Sequence, residues 1–434
     1  MNVMKIVEYP KRNEWAELLL RPSMDTKFLE RTVANILDDV RRGGDEALRH
    51  CSRQFDPSPI TDFEVTESEF EEAEAAVPDD LKNAIRAARA NIEKFHAVRH
   101  QDGEPIETMP GVRCWKRTLP IEKVGLYVPA GSAPLFSTVL MLAVPAAIAG
   151  CREVIMCSPP NASGKIDPAT LFAARLCGVG RVFKIGGAQA VGAMAYGTST
   201  VPAVYKIFGP GNQFVTEAKL QVMRSGVAID MPAGPSEVAV LADDSSIPEF
   251  VAADLLSQAE HGPDSQVILV SNSRKVIDDS IAELGEQLDR LPRKEAASRA
   301  IENSKAILVE SIEEGVEILN EYAAEHLILA VRDAEDVAAT ITNAGSIFIG
   351  NYSCESAGDY ASGTNHTLPT GGAARAFSGV STASFTKTIT YQRLDAEGIR
   401  NLGPVVEAMA AGEGLEAHRF AAAVRRESVE AKDV

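Results

Sequence analysis

The sequence has little cysteine, few aromatic residues and fewer basic than acidic residues. Its six cysteines among 434 residues form no C-x-x-C pair, which excludes a disulfide framework, a zinc ribbon and a thioredoxin-like site and predicts reduced thiols, most of them buried. Lys and Arg total 43 against 61 for Asp and Glu, a net charge of −18. That balance argues against a nucleic-acid backbone or an anionic membrane as partner. The 45% hydrophobic content predicts a folded protein.

No segment has the pattern of a signal peptide or a membrane span. Residues 1–10 lack an apolar core of the signal-peptide kind. The most apolar run, Val139 to Ala149, contains Pro145 and is shorter than the ~20 residues that a bilayer requires. We predict that this run is a buried helix and that the protein is cytoplasmic.

Helical and alternating patterns divide the chain. Apolar residues recur at helical spacing after Asp25, and Thr66 with Glu69 forms a capping box. From about residue 121, apolar strands alternate with glycine turns and helices, first to about residue 235 and again from 237 to 349. This alternation predicts parallel sheets with helices on both faces. The segment after about residue 395 is charged and helical.

The predicted fold class is α/β, with two Rossmann-like parallel-sheet modules and helical N-terminal and C-terminal extensions. The predicted domains are an N-terminal extension, a first α/β module that includes the N-terminal helices, a second α/β module and a C-terminal helical arm, at residues 1–25, 26–120 with 236–380, 121–235, and 381–434 respectively.

Two glycine turns are candidates for phosphate binding. Gly186-Gly187 and Gly209-Pro210-Gly211-Asn212 each follow a strand and open a helix, so their backbone N–H groups could bind a phosphate. Such turns also close ordinary βα units. No G-x-G-x-x-G occurs, and the acidic residue that commonly binds a ribose cannot be placed by its spacing. The turns alone therefore leave nucleotide binding open.

The seven histidines fall into two groups. His96 and His100 lie four apart at a helix end without a third ligand nearby, and we predict that they lie on the surface. The other informative ones have polar neighbours, and they are His261, His326, His366 and His418. Imidazole nitrogen and carboxylate oxygen suit zinc, but the spacing matches no metal motif, so ordinary hydrogen-bonded histidines remain the alternative.

Several long blocks occur in the order typical of one family. They are residues 124–134, 206–212, 230–237, 256–266, 325–327, 358–366 and 413–418. With these blocks the chain resembles the histidinol dehydrogenase family from about residue 25 to about residue 420. The departures at Ala130, Tyr205 and Ile328 affect no predicted ligand position.

The resemblance implies a zinc-dependent enzyme with two successive NAD-dependent oxidations. L-Histidinol would become L-histidine through L-histidinaldehyde, the last step of histidine biosynthesis. It also implies a homodimer in which the C-terminal arm serves the partner's active site. By motif it implies an acid/base pair of Glu325 and His326 and one zinc ion per subunit on Gln258, His261, Asp359 and His418. The implied substrate contacts are Ser236, His366 and Glu413 together with His326 and the zinc ligands, and the implied NAD contacts are Tyr127, Gln189 and Asn212.

The residue types suit this chemistry. Zinc would hold the amine and imidazole of histidinol, His326 would remove the alcohol proton, and Glu325 would activate the water that hydrates the aldehyde. The alternatives are a paralogous zinc- and NAD-dependent dehydrogenase of another small alcohol, such as a sulfonated diol, and a non-catalytic nucleotide- or metal-binding regulator. A covalent mechanism on Cys114, Cys151 or Cys354 is disfavoured; even Cys354, the cysteine nearest Asp359 in sequence, adjoins no histidine.

Overall fold

A computed structural model of the chain describes residues 4–22, 26–98, 103–130 and 133–431. Asp25, His100 and Gly131, which figured in the sequence interpretation, lie outside these ranges. The chain forms two compact units. The first contains Met1–Ala97 and Ile121–Phe385, and the second contains Val98–Pro120 and Thr386–Val434.

The N-terminal part of the chain is mainly helical, as predicted. Its elements are β1 (Lys5–Glu8), α1 (Trp15–Leu18), α2 (Thr26–Gly43), α3 (Asp45–Phe55), α4 (Glu67–Ala76), α5 (Asp79–His96), β2 (Ile106–Met109) and β3 (Val112–Pro120). The capping box is confirmed, because Thr66 Oγ1 accepts from the Glu69 N–H and the Glu69 carboxylate accepts from the Thr66 N–H. His96 is buried, with 4% of its surface exposed, so its predicted surface position was wrong. It ends the apolar face of α5, and burial lowers its pKa.

The next segment forms the predicted βα units. They are β4 (Lys123–Tyr127), α6 (Phe136–Ala149), β5 (Glu153–Ser158), α7 (Pro168–Leu176), β6 (Arg181–Lys184), α8 (Gly187–Tyr196), β7 (Lys206–Phe208), α9 (Gln213–Met223) and β8 (Ala228–Ile229). The strands form a parallel sheet in the order β6-β5-β4-β7-β8. The predicted buried helix is α6, which lies in the core beneath this sheet.

The second run of βα units forms a six-stranded parallel sheet. Its elements are β9 (Glu237–Ala242), α10 (Pro248–Ala259), β10 (Gln266–Ser271), α11 (Arg274–Leu288), α12 (Lys294–Glu302), β11 (Lys305–Leu308), α13 (Ile312–Tyr322), β12 (His326–Ala330), α14 (Ala334–Ala338), β13 (Ser346–Ile349) and α15 (Glu355–Tyr360). The strand order is β1-β11-β10-β9-β12-β13. Residues 5–8, predicted as part of an N-terminal extension, thus supply an edge strand.

The second unit combines a small sheet with two helices. Its C-terminal elements are β14 (Thr386–Leu394), α16 (Ala396–Gly412) and α17 (Glu416–Glu430). Strand β14 pairs antiparallel with β3, which also pairs with β2. The arm predicted as helical from residue 381 therefore begins with a nine-residue strand.

The N-terminal helices pack against the helices that cover the five-stranded sheet. Val33, Leu37 and Val40 of α2 share one apolar cluster with Ile155 and Ala190. This packing differs from the predicted grouping with residues 236–380, because the apolar face of α2 is covered by α8 and α9. The domain limits themselves stay a prediction.

The cysteines are unpaired, but most of them are not buried. Cys51 and Cys157 are buried, Cys354 is exposed and the other three are half-buried, so the prediction that most thiols are buried was wrong. Among the described helices, none combines the length and the apolarity that crossing a bilayer requires.

Candidate active site

His326 begins strand β12 and Glu325 immediately precedes it, and both side chains are buried. The carboxylate of Glu325 accepts a hydrogen bond from the backbone N–H of Glu237 at 2.9 Å. Nδ1 of His326 lies 3.2 Å from the carbonyl oxygen of Glu237. Because a carbonyl oxygen only accepts, Nδ1 carries the proton of that hydrogen bond. In the neutral imidazole the lone pair is therefore on Nε2.

The two side chains have strongly perturbed proton affinities. Burial raises the pKa of Glu325 to about 8. Burial also disfavours the charged form of His326, but the carboxylates of Glu325, Glu355 and Asp359 outweigh it and raise the pKa of His326 to about 10. A buried carboxyl beside an imidazole, both binding protons near or above neutral pH, is suited to acid/base catalysis.

A set of candidate metal ligands lies beside this pair. Gln258 is in the last turn of α10, and the backbone N–H of His261 donates to the Gln258 carbonyl at 3.2 Å. The Gln258 side chain is fully buried, and neither its Nε2 nor its Oε1 has a hydrogen-bond partner. Asp359 is on α15, and its Oδ1 lies 3.4 Å from Nε2 of His326. His261 and Asp359 offer ligand atoms to one cluster in the first unit, and Gln258 lies one helical turn before His261.

Glu355 belongs to the same cluster and was missed by the sequence interpretation. One ligand atom each from His261, Glu355 and Asp359 lies within 4.8 Å of the others. Glu355 is 1% exposed and accepts a hydrogen bond from the Ser257 hydroxyl at 3.2 Å. Burial raises its pKa. The available signal was its position four residues before Asp359, which places both carboxylates on one face of α15.

Asp359 and His366 contact each other, and further polar side chains surround both. Burial opposes ionisation of Asp359, but its contact with His326 and the nearby His366 and His261 lower its pKa. Nδ1 of His366 donates to the Asp359 carbonyl at 2.8 Å, and its Nε2 lies 3.0 Å from Oγ1 of Thr138. Burial lowers the pKa values of His261 and His366. Because the Asp359 carbonyl takes the Nδ1 proton of His366, the lone pair of the neutral ring lies on Nε2, which can accept from the Thr138 hydroxyl.

The remaining predicted substrate and metal contacts occupy two places. Ser236 is half-buried and immediately precedes Glu237, the residue that holds Glu325 and His326. Glu413 and His418 lie in the second unit, at the turn between α16 and α17, and both are exposed. The cluster in the first unit thus contains three of the four predicted zinc ligands.

The predicted cofactor contacts line a single cavity of about 860 Å³ that also reaches His261. Tyr127 ends β4, Gln189 is in the first turn of α8, and Asn212 caps α9 by accepting the Val215 N–H at 3.1 Å. The Tyr127 hydroxyl accepts a hydrogen bond from the Gly187 N–H at 3.0 Å. Burial raises the pKa of Tyr127 to about 12, so the phenol stays protonated.

The turn at Gly209 requires glycine. Its φ is +124°, and a Cβ atom there would lie 2.0 Å from the carbonyl oxygen of Tyr127. The turn is held by Asp230, whose carboxylate accepts the Gly209 N–H at 2.7 Å, and by Lys219, which donates to the Gly209 carbonyl at 2.8 Å. This arrangement brings the turn directly against the end of β4.

Sequence comparison shows the family of the chain. A family model described as histidinol dehydrogenase matches residues 19–426. The chain belongs to the histidinol dehydrogenase family. It is 55% identical over 426 residues to the histidinol dehydrogenase of Bacteroides fragilis (strain YCH46), covering 98% of this chain and 100% of that relative. It is 52% identical to the histidinol dehydrogenase of Xanthomonas axonopodis pv. citri (strain 306), with coverages of 97% and 99%.

The structures agree as closely. The crystal structure of histidinol dehydrogenase from Elizabethkingia anophelis is 50% identical in sequence and superposes with a TM-score of 0.96, covering 99% of both chains. Membership in the histidinol dehydrogenase family confirms the resemblance and the fold class, and it places the protein among the oxidoreductases. The roles of the individual residues stay predictions.

Proposed function

We propose that the protein oxidises L-histidinol to L-histidine through L-histidinaldehyde, in two successive NAD-dependent steps that end histidine biosynthesis. The observation that carries this proposal is the junction of one cavity with one buried cluster. The cavity runs from the glycine turns to His261, and His261 adjoins Asp359, which contacts His326. Family membership supports the same substrate.

The donor set fits one zinc ion per subunit. Gln258 is buried with both amide atoms unpartnered, a costly arrangement unless a ligand satisfies it. With His261 and Asp359 it offers the nitrogen and oxygen donors that zinc accepts. We assign His418 as the fourth ligand, and Glu355 lies close enough to support the site. The zinc ion would hold the substrate through its amine and imidazole nitrogens.

The cavity fits a dinucleotide. Its volume of about 860 Å³ lies in the range of ~300–1,000 Å³ typical of ligand pockets. The amino ends of α8 and α9 open at its glycine turns, and such helix ends favour phosphate groups. Tyr127, Gln189 and Asn212 are the assigned contacts. NAD would accept one hydride in each oxidation.

His326 and Glu325 divide the proton transfers. Nε2 of His326 takes the alcohol proton as the first hydride leaves, which yields the aldehyde. Glu325 takes a proton from the water that adds to the aldehyde carbon, while protonated His326 returns its proton to the aldehyde oxygen, which yields the hydrate and frees Nε2. Nε2 then takes a proton from a hydrate hydroxyl as the second hydride leaves, which yields the carboxylic acid, and the acid releases its remaining proton to solvent as the carboxylate. Two groups with separate roles serve the two steps.

The second unit supplies the remaining contacts in a homodimer. In the proposed cytoplasmic dimer, Glu413 and His418 of one subunit complete the site of the other, while Ser236 and His366 contact histidinol from within the first unit. Co-expression of His326→Asn and His418→Asn subunits tests this exchange. Hybrid dimers regain one intact site only if the arm serves the partner; an inactive hybrid refutes the exchange.

The reaction is tested by NADH formation from L-histidinol with purified protein. Two NADH per histidinol, lost on chelation and restored by zinc, are expected. No NADH from the zinc-loaded protein would refute the proposal, and other small alcohols, such as sulfonated diols, would then be screened with the same assay.

A further inference from the structure

The cofactor cavity contains a carboxylate that none of the predicted roles uses. Asp56, the residue that ends α3, lines the cavity together with Phe28 and Phe55. Both phenylalanines are unusually open, with 67% and 51% of their surfaces exposed. Two exposed aromatic rings beside an acid form a surface on which a purine base could stack while its sugar meets the acid.

Asp56 lies on the glycine-turn side of the cavity. Helix α3 packs against α8, the helix that begins at Gly187, and Asp56 shares the cavity with Tyr127, whose hydroxyl accepts the Gly187 N–H at 3.0 Å. The other acidic residue that lines the cavity is Glu260, which adjoins the candidate zinc ligand His261. The two acids therefore belong to different ends of the cavity. Asp56 lies at the glycine-turn end, away from the candidate zinc ligands, where the adenosine part of a dinucleotide would bind.

The side chain of Asp56 is oriented by its neighbours. The Ser52 hydroxyl donates to the Asp56 carboxylate, and Ser52 Oγ itself accepts the Ile60 N–H at 2.8 Å. Burial raises the pKa of Asp56. Within the described lining of the cavity, the basic residue is Arg293, whose guanidinium lies 3.4 Å from the His261 carbonyl oxygen, at the opposite end.

We propose that Asp56 binds the adenosine ribose of the dinucleotide and makes the site select NAD over NADP, with adenine stacked at Phe28 and Phe55. A carboxylate can accept hydrogen bonds from the 2′- and 3′-hydroxyls of the ribose, and it repels a 2′-phosphate. In common dinucleotide folds this acid follows the glycine turn by about twenty residues. Here it comes from an N-terminal helix. The inference rests on the proposed NAD-dependent function and adds the choice of dinucleotide.

Binding of NADH and NADPH to zinc-loaded protein without substrate tests the inference, by fluorescence titration. The variants are Asp56→Asn, which keeps the shape and removes the charge, and Asp56→Ser, which also removes the amide. Asp62→Asn is the matched control, because Asp62 is an exposed carboxyl outside the cavity. The thermal unfolding midpoint of each variant reports whether the fold is retained.

We expect wild type and the control to prefer NADH. Loss of a charged hydrogen-bond acceptor should raise the Kd for NADH about 10-fold in Asp56→Ser. In both Asp56 variants the Kd for NADPH should fall. The ratio of the Kd for NADPH to the Kd for NADH should therefore decrease by about 100-fold or more relative to wild type. The ratio of kcat/KM with NAD to kcat/KM with NADP should decrease in the same variants.

Two results overturn the inference: an unchanged preference in both Asp56 variants, or an equal loss of affinity for both dinucleotides, which a merely structural side chain would produce. A wild-type protein that neither binds NADH nor reduces NAD contradicts the proposed function instead. The two failures are therefore distinguishable.

Discussion

The buried ion pair of Lys219 and Asp230 is expected to hold the glycine turn beside the cofactor cavity. The side chains are 3% and 1% exposed. The Asp230 carboxylate accepts the N–H groups of Gly209 and Met231, each at 2.7 Å, and Lys219 bridges that carboxylate to the Gly209 carbonyl. Removing either partner should destabilise the protein and displace the turn.

The expected loss of unfolding free energy depends on which hydrogen bonds the remaining charged group keeps. A buried charge that loses its partner costs ~3–5 kcal/mol in unfolding free energy. Lys219→Met leaves Asp230 with its two backbone donors, whereas Asp230→Asn removes the negative charge beside the buried ammonium and replaces one acceptor oxygen by an NH2 group that faces a backbone N–H. The second change should therefore cost more. The double variant should cost less than the sum of the two, because the side chains interact directly.

Urea unfolding measures these losses of stability as the shift in the urea concentration at the unfolding midpoint, multiplied by an m-value common to all variants. Arg42→Met is the control, because Arg42 pairs with Asp38 at 2.9 Å on the surface, with side-chain exposures of 79% and 49%. Exposed pairs contribute little to stability. The KM for NAD should also rise in Asp230→Asn, since Asn212 follows the turn. A midpoint for Asp230→Asn equal to that of the control would refute the reasoning.

Three further changes test the site. His326→Asn should lower kcat at least ~100-fold with little change in KM, and unchanged steady-state turnover would remove His326 from the mechanism. Asp359→Asn should purify with less than one zinc per subunit by metal analysis, and a full metal content would argue against a ligand role. Burial raises the pKa of Asp254 from 3.8 to about 7, so the folded protein holds that proton more tightly and loses stability as pH rises between these values. Asp254→Asn should lack this loss in urea midpoints measured from pH 4 to 8; parallel curves for variant and wild type would contradict it.

The alternation of strands and helices was predictable because the strands of both parallel sheets are covered on both faces. Strands such as Glu237–Ala242 and Gln266–Ser271 are buried along their full length and read as continuous apolar runs. Each is followed by a helix with its own apolar face. Local pattern and tertiary burial therefore agree.

The strands that were missed are short or exposed. Strand β14 has no fully buried residue, and Thr386 pairs with Pro120, far away in the sequence. Strand β1 has four residues, none fully buried, and Lys5 pairs with Lys305. Such strands are stabilised by partners that local periodicity does not reveal. The packing of α2 on the helices that cover the five-stranded sheet was hidden for the same reason, because an amphipathic face does not specify what covers it.

The site was only partly visible in the sequence. Glu325 and His326 adjoin each other, and Gln258 and His261 lie three apart, so local spacing and resemblance identified both pairs. Glu355 had an equivalent spacing to Asp359 but was not recognised, because carboxylates at helical spacing are common on solvated faces. Asp56 had no local signal at all, since only tertiary packing brings it to the glycine turns.

The two sheets contribute to the candidate site through opposite ends of their strands, and this explains how the imidazole of His326 is oriented. The five-stranded sheet offers its carboxyl ends, where Tyr127 and the glycine turns lie. The six-stranded sheet offers its amino ends, where the first pair between β9 and β12 is Val238 with His326. Glu237, one residue earlier, therefore directs its N–H and C=O to the side chains of Glu325 and His326. Because that carbonyl fixes the proton on Nδ1, the end of the sheet itself makes Nε2, 3.4 Å from Oδ1 of Asp359, the ring nitrogen that gains or loses a proton.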